Sequence, residues 1–208
     1  MKPIDAALTW VRNRIELRRQ RIELERRQKL DFQMELRIRK LPDRLVMTNS
    51  ILPGVRENAR DILWIGCRGY TREYHALLEG SGARCWTIDI DPDAAQFGHP
   101  VRHVIGDVVC LEDYFSPDAF DAILCNGVFG WGVNSVEAQS KILGMMAQLL
   151  RPGGLLVLGW NTNKMPDPAP LLPPNFEPAD LFGLGKRVTF AGHTHVYDFC
   201  VATKKHAG

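Results

Sequence analysis

One stretch constrains this chain more than any other: residues 61–74, which read DILWIGCRGYTREY. The apolar run ILWI predicts a short buried strand, and Gly66 and Gly69 predict a tight turn directly after it. Thr71 is a good N-cap residue, so the sequence predicts that a helix begins there. This combination is a common seat for a nucleotide-like ligand, because glycine lets the backbone approach the ligand and the helix offers unpaired N–H groups.

Two carboxylates follow this turn, each at the end of a further apolar run. Asp89 comes twenty residues after Gly69, where a carboxylate can accept hydrogen bonds from ribose hydroxyls. Asp107 closes the run after that. Arg68 and Tyr70 stand where a dinucleotide-binding G-x-G-x-x-G motif would place further glycines. The spacing therefore favours a nucleotide-like cofactor, whereas the turn departs from the dinucleotide-binding motif.

Composition limits the remaining possibilities. A chain of 208 residues that is 45% hydrophobic and 24% charged suits one globular domain with an appendage. The net charge is only +2, yet residues 12–44 hold twelve Arg or Lys against six Asp or Glu. The five cysteines are scattered, without a C-x-x-C pair, which is typical of reduced thiols in a cytoplasmic protein and predicts no metal site. No apolar run is long enough for a membrane span, and we expect no signal peptide.

The basic charge belongs to an N-terminal arm. Residues 4–41 contain neither glycine nor proline and predict a long helix, or two helices in line. Two apolar stripes run along it: Leu8, Val11, Ile15 and Ile22, then Leu30, Met34, Ile38, Leu41 and Leu45. We therefore divide the chain into a basic helical arm, residues 1–45, and a domain, residues 46–208. The arm would dock on the domain, pair with its copy in a homodimer, or contact nucleic acid. Its interspersed glutamates argue against the last role, because they would repel phosphate.

Strands and helices alternate from Ala59 onward. The predicted strands are 62–65, 85–90, 101–105, 120–125, 155–160, 187–191 and 195–203, and the predicted helices are 71–79, a short one after Asp91, and 135–150. We expect a break over 42–58, with a turn at Pro53-Gly54, a helix stop and turn at 151–154, and a helical turn at 179–182. The fold class is thus α/β, with a doubly wound, mostly parallel seven-stranded sheet and an antiparallel C-terminal hairpin. Ligands bind such sheets at the carboxyl ends of the strands.

The order of these motifs resembles the class I S-adenosylmethionine-dependent methyltransferases, from about Ile62 to Lys204. ILWIGCRGY resembles motif I of that family, TIDIDPD the acidic end of its second strand, and VIGDV the segment that meets the adenine. FDAILCNGVFGWGV and LLRPGGLLVL resemble its fourth and fifth strands. The reversed final hairpin distinguishes this family from the dehydrogenases. The resemblance implies a Rossmann-like methyltransferase fold, methyl transfer, and S-adenosylmethionine as the cofactor.

The resemblance also implies a cofactor site. Gly66 and Gly69 would line the methionine part, Asp89 would bind the ribose hydroxyls, and Asp107 would bind the adenine amino group. Asn126 would meet the amino-acid end of the cofactor. The neighbouring residues assigned to the same site are Cys67, Arg68, Ile90 and Val108.

Three departures from the family pattern stand out. Trp64 replaces the acidic residue that usually precedes the turn, and Arg68 and Tyr70 replace glycines. The fourth strand ends in Asn126-Gly127-Val128-Phe129 and not in the Asn/Asp-Pro-Pro-aromatic tetrad of amino-group methylases. We therefore do not expect methylation of nucleic-acid bases.

The candidate catalytic residues are His195, His193 and Tyr70. The two histidines flank the turn of the predicted hairpin, where one of them would serve as a general base or both would be ordinary loop histidines. The candidate acceptor-binding residues follow strand ends or begin the first helix, and packing would explain each of them equally well. They are Tyr74, Phe129, Trp131, Trp160 and Asn161.

The first hypothesis is a cytoplasmic methyltransferase that acts on a small-molecule or carrier-borne acceptor, with O-methylation placed ahead of N-methylation. One alternative is a methyltransferase-like binding or assembly module without methyl transfer, which the unusual turn residues favour. Another is an RNA-directed methylase recruited by the basic arm. For the first hypothesis we expect the N-terminal helix either to cover the active site or to form a homodimer, and we expect neither a nucleic-acid partner nor a membrane span.

Overall fold

The computed structural model describes residues 3–80 and 82–203, with side chains from residue 13 onward. Contacts divide the chain into two units, Met1–Lys40 and Leu41–Gly208. Asp43 and Arg44 therefore lie in the second unit, close to its beginning. No helix in the described part of the chain combines the length and the apolar character that a membrane crossing needs.

The first unit is a single helix, α1 (Pro3–Ile38), as the sequence predicts. Its long apolar side chains are exposed, including Ile15, Ile22, Leu30 and Met34. Leu8 and Val11, which belong to the first predicted stripe, lie outside the described side chains. Charged pairs one turn apart support the helix, for example Arg21 Nε at 2.9 Å from Glu25 Oε1.

The second unit opens with helices where the sequence predicts a break. Residues 42–58 form α2 (Pro42–Val46), a π-helical turn (Met47–Ile51) and α3 (Leu52–Asn58). The expectation was wrong because Pro42 and Pro53 both stand in the first turn of a helix, where no N–H is needed. Gly54 lies inside α3, and the ring of Phe182 occupies the space that a Cβ there would need.

The sheet has eight strands. They are β1 (Asp61–Ile65), β2 (Arg84–Asp89), β3 (His103–Ile105), β4 (Phe120–Asn126), β5 (Leu150–Asn161), β6 (Phe176–Pro178), β7 (Arg187–Thr189) and β8 (His195–Ala202). The order is β3-β2-β1-β4-β5-β8-β6, and β7 also pairs with β8. Strands β1 to β5 are parallel, and β8 runs antiparallel to β5. The predicted doubly wound sheet with its reversed hairpin is confirmed.

Two local predictions at the C-terminal edge are wrong. The eighth strand is β6, in which Phe176 pairs with Ala202, and the helical turn expected over 179–182 does not form. Ala179 instead donates its N–H to Phe199 O at 3.0 Å, which continues the pairing with β8. The backbone N–H and C=O groups of this short segment find their partners on β8. The sequence of the segment does not by itself indicate that strand.

Strand β5 begins before the predicted turn. The partner of Phe120 is Leu150 but the partner of Ala122 is Leu155, so residues 151–154 form a bulge inside the strand. Arg151 anchors this bulge through Asp121 Oδ1 at 2.6 Å and Asp61 Oδ2 at 3.1 Å. The preceding helix ends at Leu149, as the predicted helix stop requires, and the bulge stands where Pro152-Gly153-Gly154 suggests a turn.

The remaining helices are α4 (Tyr74–Leu78) and α5 (Val136–Leu149), with 3₁₀ turns at Gly69–Thr71, Pro92–Phe97, Val108–Asp113 and Ala169–Leu171. Helix α5 begins as predicted, because Ser135 Oγ accepts the N–H of Ala138 at 3.2 Å. Helix α4 is shorter than predicted. The Thr71 hydroxyl bonds back to the backbone of Arg68 and does not cap the helix.

The core lies on both faces of the sheet, because successive residues of a strand point to opposite sides. Leu63 and Ile65 pack on the side that α5 covers, and Ile62 and Trp64 pack on the side that α3 and α4 cover. All four side chains are at most 2% exposed. This burial fixes how β1 pairs with β2 and β4. The carboxyl end of β1, with the glycine turn, therefore lies beside the carboxyl ends of β2 and β4.

Candidate active site

The turn after β1 is held by the tryptophan that replaces the family's acidic residue. Trp64 Nε1 donates to Gly66 O at 2.6 Å, and its ring packs edge-on against Tyr74 with centroids 5.1 Å apart. Gly66 has a φ of +90°, and a Cβ there would lie 2.9 Å from Asn126 O. Only glycine fits this position, where the turn meets the end of β4.

Asp89 organises the loop that follows. Its Oδ2 accepts the N–H of Cys67 at 2.7 Å and a hydrogen bond from Arg68 Nη1 at 2.9 Å. Its Oδ1 accepts the N–H of Asp91 at 3.0 Å. The Asp89 side chain is buried, whereas the Arg68 side chain is 52% exposed. A half-exposed guanidinium thus lies against a buried carboxylate that two backbone N–H groups also hold.

Two nearby residues have structural roles. Burial and the neighbouring Asp89 raise the pKa of the Cys67 thiol to about 12, so this thiol stays protonated and is not a nucleophile. Asp91 Oδ1 accepts the N–H of Asp93 at 3.0 Å, which caps the following 3₁₀ turn.

A cavity of about 410 Å³ opens beyond the carboxyl ends of β1, β2 and β4. Seven residues chosen from the sequence line it: Gly66, Arg68, Asp89, Ile90, Asp107, Val108 and Trp131. The sequence reasoning missed the opposite wall, where the segment 132–135 and Ala138 bring the first turn of α5 to the cavity. The signal for this wall was the N-cap Ser135, because it marks where α5 begins.

The other residues assigned to the cofactor lie beside this lining. Cys67 and Gly69 are buried behind Arg68. Asp107 Oδ1 accepts the N–H of Val109 at 3.0 Å and caps the 3₁₀ turn there. Asn126 is 7% exposed, and its side chain lies against Gly159, in the space that a Cβ on Gly159 would need.

A second group of polar side chains forms next to the cavity, and we name it the Arg44 cluster. Its members are Arg44, Tyr70, Tyr74, Asn161, His195 and Tyr197. The guanidinium of Arg44 lies 4.8 Å from the centre of the Tyr70 ring. His195 Nδ1 lies 3.4 Å from Asn161 Oδ1, and its ring packs edge-on against Tyr197 at 4.6 Å.

The Arg44 cluster is joined to the cavity wall. Trp131, which lines the cavity, donates from Nε1 to Asn161 Oδ1 at 3.4 Å. Asn161 ends β5, and His195 begins β8 directly opposite it. The cluster therefore lies at the carboxyl edge of β5, next to the end of β4. Arg44 was missed by the sequence reasoning, because it stands in the stretch that reads as a break.

The structure brings together only some of the predicted catalytic and acceptor-binding residues. The catalytic candidates Tyr70 and His195 and the acceptor-binding candidates Tyr74 and Asn161 belong to the Arg44 cluster. Phe129 and Trp160 are buried in the core, at 0% and 3% exposure, and Trp160 Nε1 donates to Asp198 Oδ2 at 2.8 Å. His193 is exposed in the turn before β8. Trp131 is 60% exposed at the cavity.

His195 is uncharged. Burial, together with the positive charge of Arg44, lowers the pKa of His195 from its ordinary value to about 3. At neutral pH its ring is therefore a hydrogen-bonding group and only a weak base.

A separate group, His75, Glu79 and His99, brings one nitrogen or oxygen atom of each residue within 4.8 Å of the others. His99 Nδ1 accepts the backbone N–H groups of Val101 at 3.0 Å and Arg102 at 2.8 Å. His99 Nε2 lies 3.2 Å from Glu79 Oε2 and 2.7 Å from Arg102 Nη2. Metal binding through Nε2 of a neutral ring would need the proton on Nδ1, which here faces two N–H groups. The guanidinium of Arg102 also bonds Glu79, so this group is a structural network.

Comparison with known proteins agrees with this architecture. Residues 63–158 match the family model described as a methyltransferase domain. A search of curated proteins by sequence found no match.

Several solved structures share the fold. The N-methyltransferase NodS from Bradyrhizobium japonicum WM9 in complex with S-adenosyl-L-homocysteine is 15% identical, with a TM-score of 0.61 and coverage of 81% of this chain and 91% of that chain. The 1,6-didemethyltoxoflavin-N1-methyltransferase of Burkholderia thailandensis is 19% identical, with a TM-score of 0.50 and coverage of 86% and 90%. A TehB-like SAM-dependent methyltransferase from Corynebacterium glutamicum ATCC 13032 is 19% identical, with a TM-score of 0.51 and coverage of 73% and 88%.

At these identities the structures show a common fold, and the family match covers residues 63–158. This segment contains the glycine turn, Asp89 and Asp107, which form much of the cavity wall. Residues 63–158 of this chain therefore carry a methyltransferase domain, in a fold that the chain shares with solved S-adenosylmethionine-dependent methyltransferases.

Proposed function

We propose that this enzyme methylates an oxygen or nitrogen atom of a small-molecule acceptor, free or carrier-borne, that binds beside the Arg44 cluster. The observation that carries the proposal is the hydrogen-bonded path Trp131–Asn161–His195, which runs from the cavity into a buried polar group. Buried side chains of this kind can surround a small acceptor, whereas a flat, exposed face would suit a macromolecule.

The cavity fits S-adenosylmethionine. Asp89 presents a buried carboxylate to hold ribose hydroxyls, and the close packing at Gly66 leaves no side chain between the turn and the ligand. Ile90 and Val108 offer apolar surface for the purine, next to Asp107. When bound, the cofactor supplies a methyl group activated by its positively charged sulfur.

The acceptor side works chiefly by positioning. Methyl transfer is an in-line displacement that depends on alignment, and Asn161 and His195 can hold an acceptor by hydrogen bonds. Because the pKa of His195 is about 3, this ring is too weak a base to remove a proton from an ordinary alcohol. Acceptors that ionise by themselves need no such base, and we therefore place O-methylation of an acidic hydroxyl or carboxyl group ahead of N-methylation.

Release of S-adenosylhomocysteine tests this proposal. The purified enzyme is incubated with S-adenosylmethionine and a cell extract divided into small-molecule and macromolecular fractions. We expect the product only with the small-molecule fraction, and none from an Asp89→Asn variant. Product formation only with the macromolecular fraction would contradict the proposal.

The exposed, basic helix α1 favours a second candidate, methylation of RNA. This function predicts RNA binding that weakens steeply with salt and is lost on deletion of residues 1–40. A titration with fluorescent RNA at low salt decides the point, because the absence of binding there would exclude this candidate.

We further propose that α1 pairs with its copy in a homodimer, since its long apolar side chains are exposed. Light scattering on the full chain and on the deletion variant gives the mass. A full chain that is monomeric at micromolar concentration would contradict this proposal.

A further inference from the structure

Arg44 is a buried arginine whose hydrogen-bond donors are only partly used. The residue is 8% exposed, and its nearest carboxylate is Asp43, with Oδ2 at 3.2 Å from Nε. Within the part of the chain that the structure describes, neither Nε nor Nη1 has a hydrogen-bond acceptor. Unused donors of a buried guanidinium are unfavourable, because the protein does not replace the hydrogen bonds that they made to water.

His195 also has a buried polar atom without a hydrogen-bond partner in the described part of the chain. Its Nε2 is buried and, among the described residues, makes no hydrogen bond, although Nδ1 faces Asn161. The ring of His195 packs against the ring of Tyr197 with centroids 4.6 Å apart, and the Tyr197 hydroxyl donates to Asp43 O, next to Arg44, at 3.2 Å. Two buried side chains with unused polar atoms therefore lie around Tyr197.

The surroundings favour a ligand over a structural role. The guanidinium of Arg44 lies over the ring of Tyr70, and the Tyr197 hydroxyl donates to Asp43 O at 3.2 Å. These neighbours leave Nε and Nη1 of Arg44 without a hydrogen-bond acceptor among the residues that the structure describes. Asn161 accepts a hydrogen bond from Trp131, which lines the cavity. A single side chain therefore links the Arg44 cluster to the wall of the proposed cofactor site.

We propose that Arg44 and His195 form a subsite for the acceptor, which is a small molecule that carries a carboxylate. Arg44 would pair with the carboxylate, and His195, whose Nδ1–H faces Asn161 Oδ1, would accept at Nε2 a hydrogen bond from a hydroxyl or amine group of the same molecule. A singly charged carboxylate suits this site better than a phosphate dianion, because Asp43 already balances part of the charge of Arg44. This inference rests on the proposed methyl transfer to a small molecule.

Binding of simple probes tests the subsite. Acetate and benzoate are titrated calorimetrically into the enzyme, with and without S-adenosylhomocysteine, next to the neutral isosteres acetamide and benzamide and to inorganic phosphate. We expect at least one carboxylate to bind at least about tenfold more tightly than its amide and than phosphate. An Arg44→Gln variant should lose at least about tenfold of that affinity, while its affinity for S-adenosylhomocysteine stays unchanged.

Arg56→Gln is the matched control. Arg56 lies on the next helix and also has a buried Nε without a hydrogen-bond acceptor among the described residues, so its loss should leave carboxylate affinity unchanged. Failure of both carboxylates to bind, equal binding of the amides or of phosphate, or equal loss in both variants would overturn the inference.

A second readout uses only the wild-type enzyme. Because a bound carboxylate offsets the charge of Arg44, it should raise the pKa of His195, measured from the chemical shift of its ring Hε1 proton. The amides should leave this pKa unchanged, and an equal response to both would contradict the subsite. The proposed methyl transfer can fail separately, since its test is product formation, whereas the subsite is judged by carboxylate binding with or without S-adenosylhomocysteine.

Discussion

Replacement of Arg68 by alanine should tighten cofactor binding. Asp89 already accepts hydrogen bonds from Cys67, Arg68 and Asp91, and a carboxylate has about four lone-pair sites. The two ribose hydroxyls of the cofactor need two sites, so Arg68 must withdraw when the ribose binds. Its ion pair with Asp89 therefore opposes binding.

The magnitude follows from the exposure of the guanidinium. The Arg68 side chain is 52% exposed, and ion pairs with an exposed partner stabilise a protein by about 0.5–1 kcal/mol. Loss of this competitor should lower the Kd for S-adenosylhomocysteine by about two- to fivefold. Isothermal titration calorimetry measures a change of this size.

Two controls isolate the cause. Arg72→Ala removes an exposed guanidinium that lies over Phe97 and should leave the Kd unchanged. A 2′-deoxy analogue of S-adenosylhomocysteine needs one acceptor fewer, so the gain from Arg68→Ala should disappear with it. Weaker binding of S-adenosylhomocysteine to Arg68→Ala would refute the reasoning and show that Arg68 holds the cofactor.

Three further predictions follow from the site. Asp89→Asn should weaken S-adenosylhomocysteine binding by about 10- to 100-fold in calorimetry, the loss expected for hydrogen bonds to a charged group; an unchanged Kd would remove Asp89 from the site. Gly66→Ala should lower the free energy of unfolding by about 1–3 kcal/mol in urea titrations, and Gly82→Ala should lower it less. Both glycines have a positive φ, but only at Gly66 does the added Cβ lie 2.9 Å from a backbone atom, Asn126 O. Equal losses in the two variants would contradict this prediction. His195→Gln should flatten the pH dependence of stability between pH 6.5 and about 3. Because folding lowers the pKa of His195, the unfolded chain takes up a proton before the folded one, and the wild type loses at most about 1.4 kcal/mol of stability per pH unit as the pH falls through this range. Parallel profiles of variant and wild type would argue against a buried neutral ring.

Much of the sheet could be predicted because its signals are local. The alternation of apolar runs with glycine turns and caps placed β1, β2, β4 and α5 within a few residues of their observed bounds. The ends of parallel strands then identified Asp89 and Asp107 without any knowledge of side-chain contacts. Both carboxylates lie at the cavity wall.

The parts that could not be predicted depend on tertiary contacts. Pro42 and Pro53 suggest a break, yet each stands in the first turn of a helix, and the helix that contains Pro42 also carries Arg44. Strand β6 forms because it pairs with the edge of β8. The sequence of β6 does not by itself indicate this pairing. Trp160 follows an apolar run, so the sequence suggests an aromatic residue of the pocket. In the structure its Nε1 donates a hydrogen bond to Asp198 Oδ2, and the side chain lies in the core.

A crystal structure of the enzyme with S-adenosylhomocysteine would test the central claim most directly. We predict the ribose hydroxyls on Asp89, the homocysteine end against the turn at Gly66, and the Arg68 guanidinium displaced from Asp89. S-adenosylhomocysteine bound elsewhere, or no bound ligand from crystals grown at millimolar concentration, would contradict the account.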